Sequence, residues 1–588
     1  MPAHSRIAWA LLGLLAAALA HAEPVRRVAG EAAWPTQEAP LAWRGVYFEK
    51  AGNARLVFPV AEPEQVRTLK RQYEAETGMG APLRVGMPIA APKSSGTITQ
   101  MSWRPVAGGA IARIEVQVTG ATAARTGLSL AGADPRLELR FAGSDDPDLV
   151  EGMATAGDMA RQLDASGLYW SPVTEGDVQY IEIFAPAGTD HRALRVDFPL
   201  VSHLVVGMRE LASRRTKIGE SSSCNVDTAC LVDELGQDFV NAKNSIAWMN
   251  FLRDGWAYAC TGTLLNDTDE STQIPYFHTA SHCIASQAEA NSLATFWNYE
   301  ATECNSGVRA QVAQRRTRVY WLATDSFGTG SDSTLLNLTI PPPDYAYFAG
   351  WDAAPMDTGL DALTIHHPRG DAKKASDAVS VFRNHNIYIG RLFAIALRTG
   401  TAEPGSSGSG VFTPSPQGYL FRGALSRSWT SCETSGDLEH PNNVAWATRF
   451  DVFFPMIEQY LDPVYVKPGP GDGRDYTGAW YVPGEPGWGI TVFQYPPPEN
   501  RLFVMAFVYD RNGNAQWYEI SGEWTATDEF TGVALESTAL PWSADYDTSQ
   551  RSMTPAGTAT LRFLYEGTAL ELNLAIGRYA RQVFAKKL

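Results

Sequence analysis

Apolar and polar residues alternate with period two through several stretches of the first third of the chain. Ala112-Arg113-Ile114-Glu115-Val116-Gln117-Val118 is one, and Leu137-Glu138-Leu139-Arg140-Phe141 and Val178-Gln179-Tyr180 repeat the pattern. Strand side chains point to opposite faces in turn, so this pattern predicts half-buried strands. With the Pro/Gly-rich turns between them, residues 23–217 read as a β-sandwich-like unit after a less regular start, in which 62–77 predicts a helix. A short amphipathic helix is predicted over 451–461, around Pro455. Val411-Phe412-Thr413 reads as a strand, and Asn512-Gly513 between apolar runs predicts a hairpin.

One apolar run has another meaning. Arg6 precedes the stretch from Ile7 to Ala20, which ends in Ala20-His21-Ala22. A charge, a short apolar core and a small-x-small site predict a secretory signal peptide over 1–22. No later run reaches ~18 uninterrupted apolar residues, so no membrane span is expected. The expected location is secreted, extracellular or periplasmic. Arg214-Arg215-Thr216-Lys217 is basic and suits either proteolytic processing or an ordinary linker. Lys467-Pro468-Gly469-Pro470-Gly471 predicts a second linker over 467–475. These boundaries leave a central region, 218–466, and a C-terminal one, 476–588.

Composition narrows the class. Of 588 residues, 45% are hydrophobic and 19% charged, the balance of a globular chain. The 51 Gly and 36 Pro fit an all-β, turn-rich protein. A formal net charge of −16 lacks the basic footprint of nucleic-acid binding, so no nucleic-acid partner is expected. The aromatics of 476–588, including Trp480, Tyr481, Trp488, Trp517 and Tyr518, either fill the core of a β accessory domain or contact a cell surface or glycan. The six cysteines, Cys224, Cys230, Cys260, Cys283, Cys304 and Cys432, all lie in the central region. An even number behind a signal peptide predicts disulfides, although spacing alone does not choose their pairing. With no CxxC pair or HExxH motif, no metal site is expected.

The candidate chemistry centres on GSSGSGVF at 405–412. A serine hydroxyl needs a base, an orienting acid and an oxyanion site. Gly405-Ser406-Ser407-Gly408 lets the backbone turn sharply beside a serine. Upstream, Tyr276-Phe277-His278-Thr279-Ala280-Ser281-His282-Cys283 offers a base: His282, which an adjacent cysteine can fix, with His278 as competitor. Asp332 heads the run Ser333-Thr334-Leu335-Leu336 and can orient an imidazole if buried and hydrogen-bonded; Asp325, Asp344 and Asp352 are competitors. The order His282, Asp332, Ser407 differs from the order in α/β-hydrolases and in subtilisins.

These residues, with Cys224-Asn225-Val226-Asp227, Ala259-Cys260-Thr261-Gly262-Thr263-Leu264, Phe296-Trp297-Asn298-Tyr299-Glu300, Ile365-His366-His367-Pro368 and Pro404 to Ser409, resemble the trypsin-like (chymotrypsin-fold) serine peptidases and, among them, the bacterial lysyl endopeptidases. The resemblance implies a two-barrel, all-β peptidase domain flanked by a β-rich pro-region and a C-terminal β accessory domain. It implies that His282 is the base, Asp332 its orienter and Ser407 the nucleophile, with Gly405 and Ser407 N–H groups as oxyanion hole. It implies disulfides Cys224–Cys432, Cys230–Cys304 and Cys260–Cys283, no cofactor, and a protein or peptide substrate. Ser406 stands where trypsin has the aspartate that receives a new N-terminus, so removal of a pro-region is the expected activation.

The same resemblance places Asn442, Asn443 and Ser426 as substrate-pocket candidates. Lysyl endopeptidases carry an acid where Pro441-Asn442-Asn443 stands here, with Asp437 and Glu439 nearby, and a histidine where Ser426 stands. An asparagine supplies no charge to offset the desolvation of a substrate ammonium, which leaves the preferred P1 residue open. The activity expected is that of a secreted serine endopeptidase. Its rivals are a non-catalytic adhesin on a protease scaffold and a secreted esterase using the same residues.

Overall fold

A computed structural model describes residues 27–36, 40–45, 54–75, 81–92, 96–192, 194–208, 221–316, 318–382, 391–463, 476–495, 502–510, 513–525, 528–538, 552–564, 569–577 and 579–588. The expected signal peptide, the basic stretch 214–217, the linker 467–475 and Asn512 lie outside these residues. The predicted helix near the start spans Pro63–Ala75.

The period-two stretches form the first layer of a sandwich. Its strands run in the order Gly152–Thr155, Glu138–Gly143, Val178–Pro186, Gly109–Gln117 and Ala54–Val57. Ile114, Val116 and Ile183 turn inward and pack with Val196, Phe198 and Val201 of the facing layer. The polar face is also covered. Arg113 and Glu182 are both buried and 2.8 Å apart, and Glu182 accepts a hydrogen bond from the Arg44 N–H at 2.7 Å. The segment around Arg44 closes over this face, which local alternation cannot reveal.

The second layer does not stop at the sandwich. Ala123–Ala131, Arg195–Leu204 and Leu83–Ala90 lie side by side, and Leu83–Ala90 pairs antiparallel with Trp256–Leu265 of the central region. The N-terminal and central regions therefore share one sheet of 13 strands. Fully buried Arg125 reinforces the junction, donating to the Ser171 carbonyl, the Asn250 side chain and the Ser292 carbonyl at 2.8, 2.9 and 2.6 Å.

The central region is built from two sets of strands. In the first, Trp256–Leu265 pairs with Ile246–Arg253 on one side and Tyr276–Ala280 on the other, and Ser333–Asn337 extends it. In the second, Asp361–His366, Lys374–Val381, Leu392–Leu397, Ala445–Thr448, Gly418–Ser428 and Gly410–Ser415 close into a ring through the pairing of Gly418–Ser428 with Ala445–Thr448. One apolar cluster bridges both sets, with Leu265, Tyr276 and Leu335 meeting Ile365, Phe412 and Phe421. The helix Phe450–Leu461 seals it: Phe450, Phe453, Phe454, Ile457 and Leu461 recur at helical spacing and are buried, while Pro455 faces solvent. Full burial of each such side chain contributes roughly 1.5–3 kcal/mol.

The C-terminal region is a closed antiparallel barrel of eight strands, from Gly478–Tyr481 to Tyr579–Lys587. Its aromatics divide between two environments: Trp480, Phe530 and Phe563 fill the interior, whereas Tyr481, Phe507, Tyr509 and Trp517 face outward.

Candidate active site

His282 follows the strand Tyr276–Ala280 on a turn clamped by the Cys260–Cys283 disulfide, whose other half sits in Trp256–Leu265. The structure also pairs Cys224 with Cys432 and Cys230 with Cys304. Asp332 immediately precedes the neighbouring strand and adopts φ +58, a left-handed conformation that non-glycine residues seldom take. This conformation turns its carboxylate into a nest of donors. Oδ1 accepts the His282 N–H at 3.0 Å and the Ser281 hydroxyl at 2.8 Å. Oδ2 lies 2.8 Å from His282 Nδ1 and accepts the Ser426 hydroxyl at 2.6 Å. Burial alone would raise the pKa of Asp332, but the His282 ring and the hydroxyls of Ser426 and Ser281 outweigh it and hold the carboxyl below its usual value. A charged Asp332 assigns the proton to Nδ1, leaving a lone pair on His282 Nε2. That atom is buried and has no protein hydrogen-bond partner among the described residues. Catalytic hydrogen bonds are commonly long until substrate is bound.

Ser407 sits on the turn from Glu403 to Ser409, pinned by the first set of strands. The Thr261 N–H donates to the Ser407 carbonyl at 2.8 Å, and its hydroxyl donates to the Gly405 carbonyl at 2.8 Å. Cys283 Sγ lies 4.0 Å from the Ser407 carbonyl, which places the nucleophile candidate beside the His282 turn. Gly408 has φ +85, and a Cβ there would fall 2.1 Å from the Thr261 carbonyl oxygen. Two further carbonyls set the direction of the peptide planes. Pro404 C=O accepts the Arg369 N–H at 2.7 Å, and Ser406 C=O accepts the Ser409 N–H at 3.1 Å. In a trans peptide the N–H points opposite to its C=O, so the N–H groups of Gly405 and Ser407 point away from those partners. Among the described residues neither has an acceptor.

The other sequence candidates lie elsewhere. His278 is fully buried against Phe421, Phe450 and Phe453, and burial pushes it down to about 3. Asp325 accepts the Ser331 N–H, Asp344 accepts from Thr36, and Asp352 pairs with Arg27 and Arg422. Asn443 is buried, and its amide clamps Leu397 and the Asp437 carbonyl, fastening that loop. Asn442 is exposed. Ser426, a pocket candidate, is buried and donates its hydroxyl to Asp332. Cys260, His282 and Cys283 cluster as metal ligands would, but the two sulfurs are bonded to each other.

Sequence reasoning misses Thr261 as the pin of the turn, and Phe327, whose ring meets His282 edge-on at 5.5 Å under the guanidinium of Arg427. Neither carries a local signal. The N-terminal region also reaches this site. Leu83 pairs with Ala259, and its side chain lies 3.4 Å from where a Cβ on Gly405 would be.

Comparison with known proteins gives this geometry a family. The model of the lysyl endopeptidase C-terminal domain matches residues 218–442, and that of the lysyl endopeptidase N-terminal domain matches 57–205. A lysyl endopeptidase of Pseudomonas aeruginosa is 33% identical over 362 residues, covering 59% of this chain and 75% of its own length. The chain belongs to the lysyl endopeptidase family. It is a serine endopeptidase of that family, and the family match spans His282, Asp332 and Ser407 as well as all six cysteines. The C-terminal barrel lies beyond both matched ranges. Among solved structures, a scabies mite inactivated protease paralogue is 15% identical with a TM-score of 0.28, covering 37% of this chain and 94% of its own. A thermostable serine protease, AL20, from an extremophilic microorganism is 12% identical with a TM-score of 0.26, covering 38% and 97%.

Proposed function

We propose that this lysyl endopeptidase family member cleaves peptide bonds through an acyl-enzyme on Ser407. The observation that carries the reading is the hydrogen bonding of buried Asp332 to His282 Nδ1, which leaves Nε2 as the base. Ser407 Oγ attacks the substrate carbonyl carbon while its proton passes to Nε2. The oxyanion is met by the Gly405 and Ser407 N–H groups. The C–N bond then breaks as Nε2 returns the proton to the leaving amine. Water, deprotonated by the same nitrogen, attacks the acyl carbonyl, and the C–O bond to Ser407 breaks as Nε2 returns that proton to Oγ. Ser407→Ala should remove covalent labelling by a fluorophosphonate and lower kcat by more than about 10³-fold. Undiminished labelling overturns the assignment.

Residues 23–217 act as a removable pro-region in this reading, which the strand pairing beside Gly405 supports. Three disulfides and the expected signal peptide support export from the cytoplasm; among the described residues no helix is long and apolar enough to cross a membrane. For P1, a lysine preference follows the family, but the Asn443 amide is already engaged. Asp437 and Glu439 are exposed, and an exposed ion pair contributes about 0.2–1 kcal/mol. We therefore expect lysine to be favoured over neutral P1 residues by less than about tenfold. Mass-spectrometric profiling of a whole-protein digest checks this, and exclusive cleavage after lysine refutes it.

A further inference from the structure

His366 ends the strand Asp361–His366, is fully buried, and uses both ring nitrogens on hydroxyls. Nδ1 lies 2.8 Å from Ser406 Oγ and Nε2 lies 3.3 Å from Ser376 Oγ. Ser406 Oγ also accepts the Glu403 N–H at 3.2 Å. A serine oxygen that accepts an N–H can still donate its own proton, so the Ser406 hydroxyl can donate to Nδ1 when the ring proton is on Nε2, facing Ser376. Burial, with Lys374 nearby, pushes His366 down to about 3, so the ring is neutral and can accept. Ser376 is itself held closely: a Cβ on Gly400 would fall 2.4 Å from its hydroxyl oxygen.

Ser406 stands between the two residues whose N–H groups have no acceptor among the described residues. Thr261 and Arg369 hold the turn through the carbonyls of Gly405, Ser407 and Pro404. The Ser406 side chain is in turn held by His366. We propose that His366 is a positioning residue for hydrolysis, fixing through Ser406 the turn that aims the Gly405 and Ser407 N–H groups at the oxyanion. This rests on the acyl-enzyme reading above. It assigns a role to a histidine that touches neither substrate nor reacting atoms.

Asparagine and glutamine separate this role from packing. The amide of His366→Asn falls near the position of Nδ1 and keeps an acceptor for Ser406. The amide of His366→Gln falls near Nε2 and keeps only the Ser376 contact. Each variant is made as the full chain and assayed on a peptide amide. We expect kcat to fall about 10–100-fold in His366→Gln with KM within about twofold, and to recover to within about fivefold of wild type in His366→Asn. The inhibition constant of a peptide aldehyde, whose hemiacetal oxygen occupies the oxyanion position, should rise in proportion to the loss in kcat/KM. Ser406→Ala should match His366→Gln, and the double variant should be no worse than either. Wild-type kcat in His366→Gln, or equal impairment of His366→Asn and His366→Gln with a matching loss of Tm, overturns the proposal. Inactive wild-type enzyme in the same assay would instead count against the acyl-enzyme reading.

Discussion

Ser426 and Asp332 stand 94 residues apart in the chain and 2.6 Å apart in space. Ser426→Ala removes one of four hydrogen bonds to a buried carboxylate, so kcat should fall about tenfold with little change in KM, measured by steady-state hydrolysis of a peptide amide. Asp332→Asn would offer Nδ1 an N–H in place of an acceptor and should cost about 10⁴ in kcat. His278 makes a different prediction. Its ring titrates near 6.5 when unfolded and near 3 in the fold, and His366 behaves alike. Below pH 6.5 the unfolded chain takes up protons that the folded one refuses. The stabilisation is full above pH 6.5 and declines as pH falls toward 3, by about 1.4 kcal/mol per pH unit for each ring. His278→Leu should therefore lower the midpoint of acid unfolding, followed by circular dichroism, without changing kcat. At this scale, residues with a local signature are legible: a serine framed by glycines, a histidine before a cysteine, an aspartate heading an apolar run. Thr261 and His366 are not legible as pins of the serine turn, because hydrogen-bond partners far away in sequence define their roles.

Strand alternation predicts the elements well, and the helix Phe450–Leu461 follows from its apolar spacing despite an internal proline. Which strands become neighbours is not local information. Nothing in Leu83–Ala90 announces that it will pair with Trp256–Leu265 rather than end a separate sandwich. The disulfides act at the same scale but on different elements. Cys260–Cys283 closes 23 residues and ties the neighbour of His282 to the adjacent strand, whereas Cys230–Cys304 closes a 74-residue loop that contains this turn but has neither cysteine in it. Replacing either pair with alanine should lower stability by about 2–5 kcal/mol in denaturant unfolding. Only loss of Cys260–Cys283 should also lower kcat, by freeing the imidazole from Asp332.

Across the whole molecule, the N-terminal region is held by a shared sheet, by Arg125 and by the pairing of Arg27–Val28 with Trp351–Asp352. A proteolytic cut before Ser221 should thus leave 23–217 bound, co-eluting with the remainder on size exclusion. Arg125→Ala strands Asn250 and the Ser292 carbonyl and should weaken that hold. The C-terminal barrel has its own closed sheet and core, and deletion after residue 467 should leave hydrolysis of a small peptide amide unchanged.

The strand Leu83–Ala90 occupies the flank of Ala257–Ala259 next to Gly405. If the proposed pro-region leaves, the backbone of those residues becomes a bare sheet border beside the serine turn. An extended client chain can zip onto that border and gain affinity from its main chain whatever its side chains are, which favours unfolded proteins over folded ones. The same border makes the freshly released enzyme the species most prone to stick to its own kind.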